Sequence, residues 1–156
     1  MKALVIGLGS LLLKDDGVGP RVVRELAPQA PPHVRLTEAH AGGLALIDEL
    51  VGSERAIIVD ASLDPELRPG ECQVRSLDTA TRHSGCSHDC TLEQALALAR
   101  GLGLAVPADD RITLVAIGVA DVQSFAEELS PPVAAALPAI CTTILALLAP
   151  TEVGHA

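Results

Sequence analysis

The chain has 156 residues, 49% of them hydrophobic, and carries 11 basic against 20 acidic residues for a net charge of −9. That length suits one domain with one sizeable core, and that hydrophobic content excludes a disordered chain. The acidic balance, with no Lys/Arg cluster to offset it, excludes nucleic acid or an anionic membrane surface as a partner, and with Phe125 as its one aromatic residue the core has to be built from Leu, Val, Ile and Ala.

Ala3 to Ile6 is a short apolar run ending at Gly7, the pattern of a buried strand. The loop GLGSLLLKDDGVG comes next. Pro20 to Leu26 reads as helix, with Val22, Val23 and Leu26 on one side and Pro20 in the first turn, where its missing N–H costs little. APQAPPH breaks the chain. His33 to Glu38 is a predicted strand, and Leu44 to Val51 a helix with Leu44, Ile47, Leu50 and Val51 on its buried face. Ala56 to Val59 is a second buried strand, ending at Asp60. SLDPELRPG is loop, and Cys72 to Leu77 alternates like an edge or half-exposed strand. Thr91 to Leu104 is an amphipathic helix whose stripe is Leu92, Ala95, Leu96, Ala99 and Leu102, opened by a Thr91/Gln94 capping box. Ile112 to Ile117 is the third buried strand. Val133 to Leu148 closes the fold as a helix, with Pro138 as a point for a kink. The last six residues, TEVGHA, read as a frayed tail, which leaves 1–150 as the folded domain.

Strands that alternate with helices predict a three-layer α/β/α domain: a mostly parallel twisted sheet with helices on both faces. Ligands of such sheets collect at the carboxyl ends of the strands. No segment has the basic-then-apolar form of a signal peptide, and none reaches spanning length without a charge or turn signal. The expectation is a cytoplasmic protein, off the membrane, with reduced cysteines.

The residues just past each strand are therefore the ones to weigh. After the first strand come Gly7, Gly9, Asp15 and Asp16. This is not a G-x-G-x-x-G fingerprint, because position 12 is Leu, and two carboxylates lie where a dinucleotide phosphate would sit. Asp15 and Asp16 either complement the positive end of the following helix or face a ligand. Asp60, at the end of a buried run, is either solvated at the sheet rim or bonded to something. RHSGCSHDC, residues 82–90, holds two His, two Cys and an Asp. A structural zinc, a disulfide and a Cys nucleophile each meet an objection there. Cys86-x3-Cys90 lacks the usual C-x2-C spacing, the compartment is reducing, and no base is visible. Cys72 and Cys141 read as packing residues.

VIGLGSLLLKDDGVG, AIIVDA and SHDCTL, in this order across nearly the whole chain, resemble the three signatures of the hydrogenase maturation protease family. Members are endopeptidases that trim the C-terminus of a [NiFe]-hydrogenase large subunit once nickel is in place. By motif, the resemblance puts the metal-recognition site on Asp16, Asp60 and His88, with Asp15 at the other acidic position of the first motif. Two carboxylates and an imidazole are hard to borderline ligands that leave coordination positions open. The helix after His88 favours neutral imidazole, the form that binds metal. The resemblance implies no tightly bound cofactor: the nickel belongs to the large-subunit precursor, the expected partner of a protein that is otherwise a monomer. The catalytic water-activating group is not assigned.

Two departures stand out. Ser10 occupies a place where the family commonly has Asn, and EAHAGGLAL stands where many members have Asp-Gly-Gly-Thr. His40 resembles instead the branch that serves NAD-linked soluble hydrogenases, and His40, Gly42 and Gly43 are expected to touch the precursor. Cys86 and Cys90 are expected to be dispensable, and His33, His83 and His155 are surface residues. The alternative function is a non-proteolytic nickel or zinc carrier or sensor with the same ligands. A different endopeptidase on the same kind of fold, such as a spore germination protease, and a flavodoxin-like small-molecule module are further alternatives; the acidic first loop argues against the last.

Overall fold

The computed structural model describes residues 2–77 and 91–150. Its strands are β1 (Ala3–Leu8), β2 (Val34–Ala39), β3 (Arg55–Ser62), β4 (Cys72–Ser76) and β5 (Ile112–Gly118). Its α-helices are α1 (Val18–Leu26), α2 (Leu44–Leu50), α3 (Leu92–Gly101) and α4 (Pro131–Leu148). The strands form one sheet in the order β2-β1-β3-β5-β4, parallel except for β4, which pairs antiparallel with β5 at the edge. The predicted architecture is the observed one.

The apolar runs explain the layers. In β1, β3 and β5 successive side chains point to opposite faces, and both faces are covered, so the strands read as continuous hydrophobic runs. Val5, Ile57, Val59, Val115 and Ile117 pack with Val18, Val22 and Leu26 of α1 and Val133, Ile140 and Ile144 of α4. Leu4, Ile6, Ala56, Ile58 and Ile112 pack with Leu46, Ile47 and Leu50 of α2 and Ala95, Leu96 and Ala99 of α3. Cys141 is buried in the first of these layers, as the sequence predicts.

Two helix faces differ from expectation. Leu44 and Val51 are 51% and 40% exposed, because α2 is only seven residues long and they lie at its first residue and just past its last. Leu102 is 68% exposed, because α3 stops at Gly101 and the chain turns away through Gly103 at φ 78°. The capping box is present: Gln94 N donates to Thr91 Oγ1 at 3.2 Å, and Thr91 N to Gln94 Oε1 at 3.0 Å. α4 runs through Pro138, which faces solvent. Among the described residues α4 is the one helix long and apolar enough to cross a membrane, and its buried stripe packs on α1 and the sheet.

The contact that positions the site is between α1 and the sheet. A β-carbon on Gly19 would fall 2.5 Å from the Leu8 carbonyl oxygen and 2.6 Å from that of Val59. Hydrogen alone fits there, so the start of α1 rests directly on the backbones of β1 and β3. The residues just before α1 are thereby held at the carboxyl ends of those two strands.

Candidate active site

From β1 the chain crosses one face of the sheet through α1 to β2; from β2 it crosses the other face through α2 to β3, on the far side of β1. The strand order therefore reverses around β1, and the crevice beyond the carboxyl ends of β1 and β3 is the switch point at which such sheets bind ligands.

Both carboxylates expected from sequence are there. A 3-10 turn, Lys14–Gly17, carries Asp16 back onto the loop that leaves β1, where Ser10 N donates to Asp16 Oδ2 at 2.8 Å. The bond comes from the main chain of Ser10, so it does not depend on the side chain that departs from the family pattern. Asp60 sits opposite Leu8 of β1 and Ala116 of β5, and the alternation along β3 puts it in line with Ala56 and Ile58. Burial, and after it the charge of Asp16, push the Asp60 carboxyl up to about 7, against an opposing pull from the Ala61 N–H. The two acids thus share one electrostatic site.

Asp15 does something else. It is fully buried, and its Oδ1 accepts from Ser130 N at 2.7 Å while Oδ2 accepts from Ala120 N at 2.9 Å and Asp121 N at 3.1 Å. Its own N–H donates to the Asp121 carbonyl at 2.9 Å. Burial alone would raise this carboxyl, but the hydrogen bonds outweigh it and hold it below its ordinary value. Asp15 is committed to pinning the loop between β5 and α4 against the loop after β1. The local sequence does not separate it from Asp16; the motif resemblance does, by placing only Asp16 in the metal-recognition set. Sequence reasoning also misses Asp121, although Asp with Ser three residues on is a turn pattern. The Oδ1 of Asp121 accepts from Gln123 N and Ser124 N at 2.9 and 3.0 Å, and its Oδ2 from the Ser124 hydroxyl at 2.6 Å. The Ser124 hydroxyl leads the donors that pull its carboxyl down to about 2.

His40 borders the same crevice. Its Nδ1 lies 2.9 Å from the Gly9 carbonyl oxygen, and Gly9 N donates to the Ala39 carbonyl at 2.9 Å, which stitches the ends of β1 and β2 together. Gly42 and Gly43 come next and open α2, Gly43 at φ 61°, a conformation that favours glycine. His88, with Cys86 and Cys90, lies outside the described residues. The helix after it, α3, lies within them. Beyond α3, the Ala105 carbonyl accepts from Gly52 N, in the turn that precedes β3 at the amino end of the sheet. α3 rises about 15 Å over its length, so it starts toward the carboxyl end, on the face that Asp60 shares with Ala56 and Ile58.

Among the described residues no three His, Cys, Asp or Glu side chains converge on a metal position. Asp16 and Asp60 are two carboxylates, one fewer than such a group of three. An open hollow lined by Lys2, His33, Arg35 and Ser53 lies at the amino ends of β1 and β2, the opposite end of the sheet from both acids.

The sequence model of a family described as hydrogenase maturation protease matches residues 20–147. The hydrogenase expression/formation protein HupM of Azotobacter chroococcum is 32% identical over 152 residues, spanning 94% of this chain and 71% of that one. Among solved structures, the hydrogenase maturating endopeptidase HybD from E. coli superposes with a TM-score of 0.78 at 25% identity, over 95% of this chain and 92% of that one. The [NiFe] hydrogenase maturation protease HybD from Thermococcus kodakarensis gives 0.69 at 26% identity, over 94% and 99%.

Proposed function

The chain belongs to the hydrogenase maturation protease family and is a peptidase; from that premise we propose that it removes the C-terminal peptide of a [NiFe]-hydrogenase large-subunit precursor after nickel insertion. We further propose that it reads the bound nickel through Asp16, Asp60 and His88, and that it works as a free monomer in the cytoplasm. The observation that carries this reading is the pair Asp16 and Asp60 at the switch point, where the charge of one helps to push the carboxyl of the other up to about 7. A divalent cation relieves that repulsion, and it favours the ionised form of both acids.

Two carboxylates and an imidazole leave positions open on nickel, so an ion already held by the precursor can be shared with them rather than extracted. Supporting the third ligand is its place in the chain: His88 stands three residues before Thr91, at the start of a helix that begins toward the same end of the sheet as Asp60. The shared ion orients the precursor's C-terminal segment and polarises its carbonyl or a water. His40, Gly42 and Gly43, next to the Gly9 loop, are the residues we assign to contact that segment. The nickel is the substrate's, so the purified protease carries no tightly bound metal of its own.

His88→Ala and Asp16→Asn should each slow cleavage of a nickel-loaded precursor by at least about a hundredfold while both variants remain folded. Cys86→Ser and Cys90→Ser should cleave at the wild-type rate. Normal processing by the first two variants sinks the ligand assignment, and loss of processing in either cysteine variant brings a sulfur ligand into the site.

A further inference from the structure

Phe125 is the only aromatic residue of the chain, and it is 88% exposed. Leu12 is 60% exposed. They belong to different loops, and the parallel pairing of Leu13 with Ala126 sets them side by side. Ala126 N donates to the Leu12 carbonyl at 3.0 Å, and Lys14 N to the Ala126 carbonyl at 2.9 Å. The Asp15 carboxylate binds the same loop at both ends, through Ala120 and Asp121 and through Ser130, and Asp121 ties its middle to Gln123 and Ser124.

Single exposed apolar side chains are ordinary. This pair differs in its support: a buried carboxylate and a run of main-chain bonds hold two large apolar groups out in solvent, where they add nothing to the core. A surface fixed in advance loses little entropy on binding, and a rigid aromatic anchor is typical of an interface hot spot. Leu12 N donates to Ser10 Oγ at 3.3 Å and Ser10 N to Asp16 Oδ2 at 2.8 Å, so the pair adjoins the proposed site. Around it the charge is one-sided: Asp121, Glu127 and Glu128 lie on the Phe125 loop, which has no basic residue, and Lys14 is the only one on the Leu12 loop.

We propose that Phe125 and Leu12 are the docking edge for the folded body of the large-subunit precursor, which they enter at an apolar recess bordered by Lys or Arg side chains. This rests on the proteolytic reading above and adds to it a recognition element distinct from the nickel. Neighbouring acids steer a basic surface toward the site, and the apolar pair holds it.

The test is steady-state cleavage of nickel-loaded precursor by wild type, Phe125→Ser and Leu12→Ser, with KM and kcat determined separately. Both side chains are exposed, so both variants should unfold at the wild-type midpoint. The expected result is a KM raised by about 10- to 100-fold for Phe125→Ser, a smaller rise for Leu12→Ser, and kcat unchanged in both. Added salt should raise the wild-type KM. An unchanged KM in Phe125→Ser overturns the docking edge and leaves the protease reading standing. So does a fall in kcat at constant KM, which would make the loop a support for the site. A wild-type dimer that Phe125→Ser dissociates while KM stays the same assigns the pair to self-association instead. Absence of cleavage by wild type removes the protease reading, and this inference with it.

Discussion

Asp60→Asn should make the folded protein more stable at pH 8 while stopping precursor cleavage. In the folded protein the Asp60 carboxyl is raised from 3.8 to about 7, first by burial and then by the charge of Asp16. Between those two values the folded protein holds a proton that the unfolded chain releases. Wild-type stability from this group therefore falls as pH rises from about 4 to about 7, and the full penalty remains above that. A displacement of that size corresponds to on the order of 4 kcal/mol. Asparagine carries no charge at any pH, so the variant should regain roughly 2–4 kcal/mol at pH 8, which for a chain of this length raises Tm by roughly 5–15 °C. At pH 3 the wild-type carboxyl is protonated in the folded and the unfolded chain alike, and the two proteins should unfold nearly together. The same substitution removes an anionic ligand from the proposed nickel site, and processing should drop by about a thousandfold. Thermal unfolding at pH 3 and pH 8, beside a cleavage assay, checks both halves. A variant that is less stable than wild type at pH 8 contradicts the repulsive pair.

Asp15 behaves in the opposite way. Asp15→Asn should cost about 3–5 kcal/mol at pH 7, because one amide oxygen cannot replace a carboxylate that accepts three main-chain N–H bonds, and the amide nitrogen would face donors. The folded carboxyl of Asp15 is depressed. Its contribution is therefore fully present above the ordinary value of 3.8 and is lost as pH falls through the folded value, so the gap between variant and wild type should narrow below about pH 4. Urea unfolding at pH 7 measures the effect. A midpoint equal to that of wild type would mean that the N–H groups of Ala120, Asp121 and Ser130 find other acceptors. The same Asp-to-Asn change thus carries opposite signs at the two positions. Ionised Asp60 is opposed by burial and by the charge of Asp16, whereas ionised Asp15 is held by the donors around it.

Much of this is legible in the sequence, and the exceptions have physical causes. The runs in β1, β3 and β5 are apolar but for Thr113 because both faces of each strand are covered, so composition alone marks them. Their ends are harder to place. Gly7 and Gly9 read as the break after the first strand, yet Gly7 is within β1, because the backbone of Gly19 packs where a side chain would be. Asp16 and Asp60 can be found because strand ends at a switch point are where parallel sheets hold ligands. Local chemistry does not tell Asp15 from Asp16, because the partners of Asp15 are 105 to 115 residues away along the chain; only the motif resemblance sets them apart. Leu12 and Phe125 carry the residue types of a core, and only the tertiary pairing of their loops shows that they are held outside it. Leu44 fits the helical period and is exposed all the same, since a helix of seven residues has too few turns to bury its first one.

If this peptidase reads nickel in its substrate before it cuts, as proposed above, cleavage depends on the metal state of the precursor. The most direct measurement incubates the purified protein with a large-subunit precursor in two states, nickel-loaded and nickel-free, and weighs both by mass spectrometry. Loss of the C-terminal peptide is expected from the nickel-loaded precursor, with no change in the other. Equal cleavage of the two would contradict that proposal, leaving Asp16, Asp60 and His88 without the nickel-sensing role assigned to them.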